Sequence, residues 1–127
     1  MFKTILLVGV GSFIGGISRY LVNVFVQKLY LTSFPLGTFL VNITGCLLIG
    51  FFFGLSEKGN LLKPEWLIFL TTGVCGGFTT FSSFSYESLS LLRGREFYFF
   101  NLNIILSLVL GLTATYIGLA LVRFILK

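Results

Sequence analysis

Apolar positions fill four long stretches of the chain, roughly Thr4 to Gln27, Leu36 to Leu55, Glu65 to Leu92 and Phe97 to Ile125. Each reaches the length of about 20 mostly apolar residues that a membrane-crossing helix needs. None alternates with a period of two, so the segments do not read as barrel strands; continuous apolar runs must hydrogen-bond internally as helices. Polar and helix-breaking clusters separate them. Thr32-Ser33-Phe34-Pro35 ends the first connection, Glu57-Lys58-Gly59-Asn60 and Lys63-Pro64-Glu65 mark the second, and Arg93-Gly94-Arg95-Glu96 marks the third. The pattern predicts an all-α membrane protein, a single four-helix domain over 1–127, crossing the cell membrane several times.

Composition agrees and narrows the chemistry. Of 127 residues, 56% are hydrophobic and 10% charged, against about a quarter charged in soluble domains, and the mean hydropathy is +1.02. A soluble or disordered reading is excluded. Nine Lys and Arg outnumber four acidic residues, but they are scattered, which suits loop anchors and not a nucleic-acid surface. His and Asp are absent and the four Glu lie mostly in loops, so an enzyme would lack its usual acid–base groups. Cys46 and Cys75 sit in apolar runs without CxxC spacing and read as small buried hydrophobes. Met1-Phe2-Lys3 starts like a signal peptide, yet no small-residue cleavage pattern follows and Arg19 stands where cleavage would fall; the segment reads as a retained helix.

Four spans place both termini on one side. Lys3, Lys58, Lys63, Arg123 and Lys127 then share one face, and Lys28, Arg93 and Arg95 the other. This bias is weak, and such a chain can insert either way. Small residues recur at close-packing spacing: Gly11 and Gly15, Gly50 and Gly54, Gly73 and Gly77, Gly111 and Thr115, Ala114 and Gly118. Four helices enclose little interior, so these faces predict a second copy and a homodimer.

Polar residues inside the spans are expensive and therefore informative. Arg19 lies well along the first span, where it either snorkels to headgroups or attracts anions. On the second span Thr38, Asn42 and Gly45 share a face. The Asn42 amide either ties helices together, the reading its residue type favours, or offers its donors to an anion. The third span carries most of the signal, in Gly73-Val74-Cys75-Gly76-Gly77-Phe78-Thr79-Thr80-Phe81-Ser82-Ser83-Phe84-Ser85. Three glycines in five residues followed by hydroxyls predict a break, one half-helix ending near Gly76-Gly77 and another capped by Thr79 or Thr80. Broken backbone at membrane depth persists only when buried in protein or lining an aqueous path. A packing kink would not need so many glycines and hydroxyls, so the break is the candidate site.

Phe78, Phe81 and Phe84 repeat every three residues and are expected to stack along the second half-helix beside Ser82, Ser83 and Ser85. Such a stripe serves core or lipid contact, or turns positive ring edges toward an anion. Glu87 follows as an acid outside the loops, suited to an interfacial helix-end role, and Asn103, Ser107 and Gly111 line one face of the last span.

This run resembles the signature of the Fluc (CrcB) fluoride-channel family. The likeness covers the whole chain and includes Gly15-Gly16-Ile17-Ser18-Arg19-Tyr20, the stretch Gly37 to Gly45, the broken third helix and the final helix with Asn103, Ser107 and Gly111. Val74 and Ser83 depart from the family's usual aromatic and Thr, without loss of a functional group. The resemblance implies an antiparallel dual-topology homodimer with two anion pathways and passive export of toxic cytoplasmic fluoride. It also implies a structural sodium ion at the dimer centre, held by the backbone carbonyls of Gly76 and Thr79 of both copies. In that reading Asn42 faces the anion, and Phe81 and Phe84 supply ring edges. Ser82, Ser83, Ser107 and Glu87 form a polar track, and Arg19 sits near a vestibule. The competing reading, a small multidrug-type proton-coupled antiporter, requires a membrane-embedded acid on the first helix, where this chain has Arg19. A non-conducting assembly subunit would leave the polar broken span without a reason.

Overall fold

A computed structural model describes residues 1–59 and 61–127; Asn60 of the second connection lies outside the described residues. Four spans form as the hydropathy pattern dictates, each long and apolar enough to cross a membrane. The first is α1, Phe2–Leu29, and the second is α2, Leu36–Glu57. The third is composite. It opens with α3, Pro64–Ile68, started by a proline whose missing N–H is no loss in a first turn. A π-helical stretch, Phe69–Cys75, and α4, Gly76–Phe78, continue it. Two extended residues, Thr79 and Thr80, then interrupt the helix before α5, Phe81–Arg93. The last span is α6, Phe97–Ile125. No strand occurs among the described residues.

Glycines determine how closely these helices approach. The most extensive pairing is α2 with α6, where Gly50 lies on the backbone of Thr115, and Gly118 on Leu47 and Phe51. The first half of the composite span lies on α1. A Cβ on Gly11 would stand 2.8 Å from Gly73 Cα, and one on Gly77 would stand 2.8 Å from Ser12 Cα. The small-residue faces are therefore used up within one chain, and they do not by themselves call for a second copy. In contrast, α5 packs on α6 and touches α2, leaving Phe81, Tyr86 and Leu89 exposed.

Two contacts bear out the placement of charges by side. Lys3 Nζ pairs with Glu65 Oε1 at 2.6 Å, joining the start of α1 to the start of α3. Lys58 Nζ donates to the Arg123 carbonyl at 3.4 Å, bringing the end of α2 beside the end of α6. Cys75 is fully buried, whereas Cys46 is partly exposed.

Candidate functional site at the helix break

Thr79 N–H to the Cys75 carbonyl, 2.9 Å, is the bond on which the first half of the third span ends. In a continued helix Thr80 N–H would next bond the Gly76 carbonyl. It donates instead to Asn42 Oδ1 at 2.8 Å, while Asn42 Nδ2 donates to the Thr80 carbonyl at 3.0 Å. One side chain of α2 thus replaces a neighbouring peptide and satisfies both backbone groups of Thr80. Thr80 also caps α5, its hydroxyl accepting Ser83 N–H at 3.2 Å. The same hydroxyl lies 3.2 Å from Ser82 Oγ and donates to Ser83 Oγ at 3.2 Å.

The sequence ends the first half-helix near Gly76-Gly77 and caps the second with Thr79 or Thr80; Thr80 is that cap, but the first half-helix runs through the glycines and ends at Phe78. Gly76 keeps helical angles, φ −62° and ψ −39°, and Gly77 serves the close approach of Ser12. Both threonines are extended, but it is Thr80 to which Asn42 offers an alternative to helical bonding. Phe78 consequently belongs to α4, and the stripe on α5 contains only Phe81 and Phe84, their centroids 5.8 Å apart with the planes tilted by 40°.

Beside the break lies a cavity of about 450 Å³, walled by Asn42, Thr79, Thr80, Phe81, Phe84 and Ser107, with Cys46, Ile49, Ile104 and Leu108. Among the described residues no charged side chain lines it. Phe81 is 79% exposed in the single chain and projects from this wall. Asn42 lines the cavity and commits one of its two amide hydrogens to Thr80, which leaves a second donor on the same nitrogen. The amide therefore ties helices together within the chain while still lining the open space.

Glu87 is not part of this wall. It accepts a 2.8 Å hydrogen bond from Thr38 Oγ1 and lines a separate cavity of about 440 Å³ with Asn23, Thr38 and Glu96, under the α1–α2 connection. Its other oxygen is buried without a partner among the described residues. From Ser107 in the wall of the first cavity a chain of side chains, which the α6 spacing only partly announced, leads inward to Ser88. Ser107 Oγ donates to Asn103 Oδ1 at 3.3 Å, and Asn103 Nδ2 donates to Ser88 Oγ at 3.0 Å, with Asn103 and Ser88 buried. Ser88 and Cys46 are not among the expected site residues, and Thr80 is expected only as a helix cap. Ser88 was detectable as the residue four after Phe84, and Thr80 from its cap position, but nothing in the sequence marks Cys46 as cavity-lining.

Arg19 neither snorkels freely nor faces open water alone, since its Nη1 donates to the Thr79 carbonyl at 3.4 Å. A hard cation takes oxygen ligands, and two candidate carbonyls fit that donor type. Gly76 has lost its helical donor to Asn42, and Thr79 has left the helix. Among the described residues no cluster of three His, Cys, Asp or Glu groups competes for such an ion.

Residues 6–119 match the model of the family described as CrcB-like protein, Camphor Resistance (CrcB). The chain belongs to the CrcB family. It is 46% identical to the Fluoride-specific ion channel FluC of Flavobacterium psychrophilum over 121 residues, 95% of this chain and 98% of that protein. It is 48% identical to the protein of the same name from Campylobacter lari over 93% of this chain and 96% of the relative. The match to the protein so named in Azobacteroides pseudotrichonymphae is 41%, over 98% and 99% of the two chains. This CrcB chain is accordingly a multi-pass protein of the cell membrane that serves ion transport, and it is not an enzyme.

Proposed function

We propose that the protein is a fluoride-selective passive channel that lets cytoplasmic fluoride leave the cell, working as an antiparallel dual-topology homodimer with two anion pathways. The observation that carries this reading is the cavity at the helix break, walled by Asn42, Ser107 and the rings of Phe81 and Phe84, with no charged residue among those lining it. Fluoride is small and strongly hydrated, so a conducting site has to replace water with donors. Neutral amides, hydroxyls and ring edges do so without the deep trap that a lysine or arginine would create. The start of α5 adds to this field, because the positive end of its dipole lies at the break. The relatives' printed name, a fluoride-specific ion channel, supports the same ion.

A second copy suits the exposed position of Phe81, since a ring 79% exposed on a single chain gains a pathway role when another subunit closes the cavity. The Gly76 and Thr79 carbonyls of both copies would hold a structural sodium ion at the two-fold axis. When bound, it would supply positive charge between two C-terminal half-helix ends whose carbonyls lack intrahelical donors. Asn42, Phe81, Phe84 and Ser107 line the proposed pathway, Ser82 and Ser83 support it through Thr80, and Glu87 stands in the neighbouring cavity.

The test is anion efflux from liposomes containing the purified protein under a potassium diffusion potential. Electrogenic fluoride efflux with negligible chloride efflux is expected. Folded, dimeric protein that passes neither anion would sink the channel reading.

A further inference from the structure

The bond from Arg19 to the Thr79 carbonyl places a permanent cation at the open carbonyl end of the half-helix that terminates at Phe78. Gly15, one helical turn earlier on α1, brings the two backbones together: a Cβ there would stand 2.7 Å from Phe78 N. Arg19 is thus delivered to the break by close glycine packing and is not left to find it by flexing. The Gly76 carbonyl has lost its donor to Asn42, so partial negative charge collects at this end. Among the described residues, the only ion pair is the distant one between Lys3 and Glu65. No carboxylate therefore neutralises the guanidinium.

We propose that Arg19 is a positioning residue which occupies the Thr79 carbonyl and so weakens the hold of the break on its cation. This rests on the sodium reading above and extends it to a side chain outside the proposed ligand set. A fixed positive charge beside a cation site repels the incoming ion, and a donor on a ligand oxygen competes with it for the same lone pairs. Both effects have one sign. Without Arg19 the protein is less stable when sodium is absent and binds sodium more tightly when it is supplied. The arginine holds the broken helix in shape when no sodium occupies it.

Thermal unfolding of the purified dimer, followed while sodium replaces a large organic cation at constant ionic strength, reads this without reference to flux. The wild type is expected to gain stability with sodium. Arg19→Gln is expected to unfold at lower temperature without sodium and to reach half its gain at a sodium concentration about ten-fold lower, the low end of what one nearby charge does to a partly buried ion. Arg19→Lys keeps the charge but loses the planar fork and is expected to fall between the two; it carries the test if the glutamine variant does not fold. A sodium-dependent wild type whose midpoint is unmoved in either variant overturns the role of Arg19 alone. No sodium dependence in the wild type overturns the sodium reading, and this inference with it.

Discussion

Asn42 on α2 and Thr80 in the helix break exchange two hydrogen bonds, 2.8 Å from Thr80 N–H to the amide oxygen and 3.0 Å from the amide nitrogen to the Thr80 carbonyl. The pair works as one rung of a sheet built into a membrane helix. Asp at position 42 still accepts from Thr80 N–H but sets a carboxylate oxygen against the Thr80 carbonyl. Asn42→Ala leaves both backbone groups without partners, at about 1–3 kcal/mol each. Both variants are expected to abolish fluoride flux, with the alanine protein unfolding at markedly lower temperature. Unchanged flux in Asn42→Asp would remove the amide from the pathway.

Phe81 and Phe84 contribute differently, because Phe81 stands largely free of its own chain while Phe84 is half-buried. Replacing either by Ile keeps an apolar side chain and discards the ring edge. Phe81→Ile is expected to reduce fluoride efflux several-fold with little change in unfolding temperature, and Phe84→Ile to reduce both. Normal efflux in both variants would return the rings to packing.

Hydropathy made the four spans legible, and α6 runs Phe97–Ile125 as expected. The break was legible too, but for a reason that proved incomplete. Glycine's poor helix propensity points to Gly76-Gly77, yet tertiary contacts override it: Gly77 stays helical because Ser12 needs the space, and the helix breaks after Phe78 because Asn42 bonds Thr80. That competition joins residues 38 positions apart and leaves no local trace. The π-helical stretch Phe69–Cys75 was equally hidden, since it shows only as a shift of backbone bonding among residues that α-helices also accept. The family likeness joins Glu87 to Ser82, Ser83 and Ser107 in one polar track, whereas α5 carries it into the wall of another cavity.

Close approach makes some glycines irreplaceable and leaves others free. A Cβ at Gly77 would stand 2.8 Å from Ser12 Cα, backbone that cannot move aside, while a Cβ at Gly9 meets nothing within 4 Å. Gly77→Ala is expected to destabilise the protein by several kcal/mol or prevent its assembly, and Gly9→Ala to be neutral or stabilising by up to about 1 kcal/mol through helix propensity. Thermal unfolding of the two variants side by side checks this. Equal stabilities would mean that α1 and α4 are not in contact as described.

Arg95 offers a stabilising change at the other end of α5. Its φ of 57° is the left-handed conformation, and it is the one non-glycine residue with positive φ among those described. The surrounding bonds explain why it is held there. Gly94 N–H reaches the Ser90 carbonyl at 2.9 Å, Arg95 N–H the Leu92 carbonyl at 3.2 Å, and Glu96 N–H the Leu91 carbonyl at 2.9 Å. This closure of the last turn requires a left-handed residue just past the helix end, where glycine is the usual occupant. An arginine pays about 1–2 kcal/mol for that geometry. Arg95→Gly removes the strain but gives the unfolded chain more freedom, an opposing term of roughly 0.5–1 kcal/mol. The expected net gain is about 0.5–1 kcal/mol, with fluoride flux unaltered because the loop lies outside the cavity wall. A lower unfolding temperature in Arg95→Gly would show instead that the arginine side chain contributes more at the membrane surface than its backbone costs.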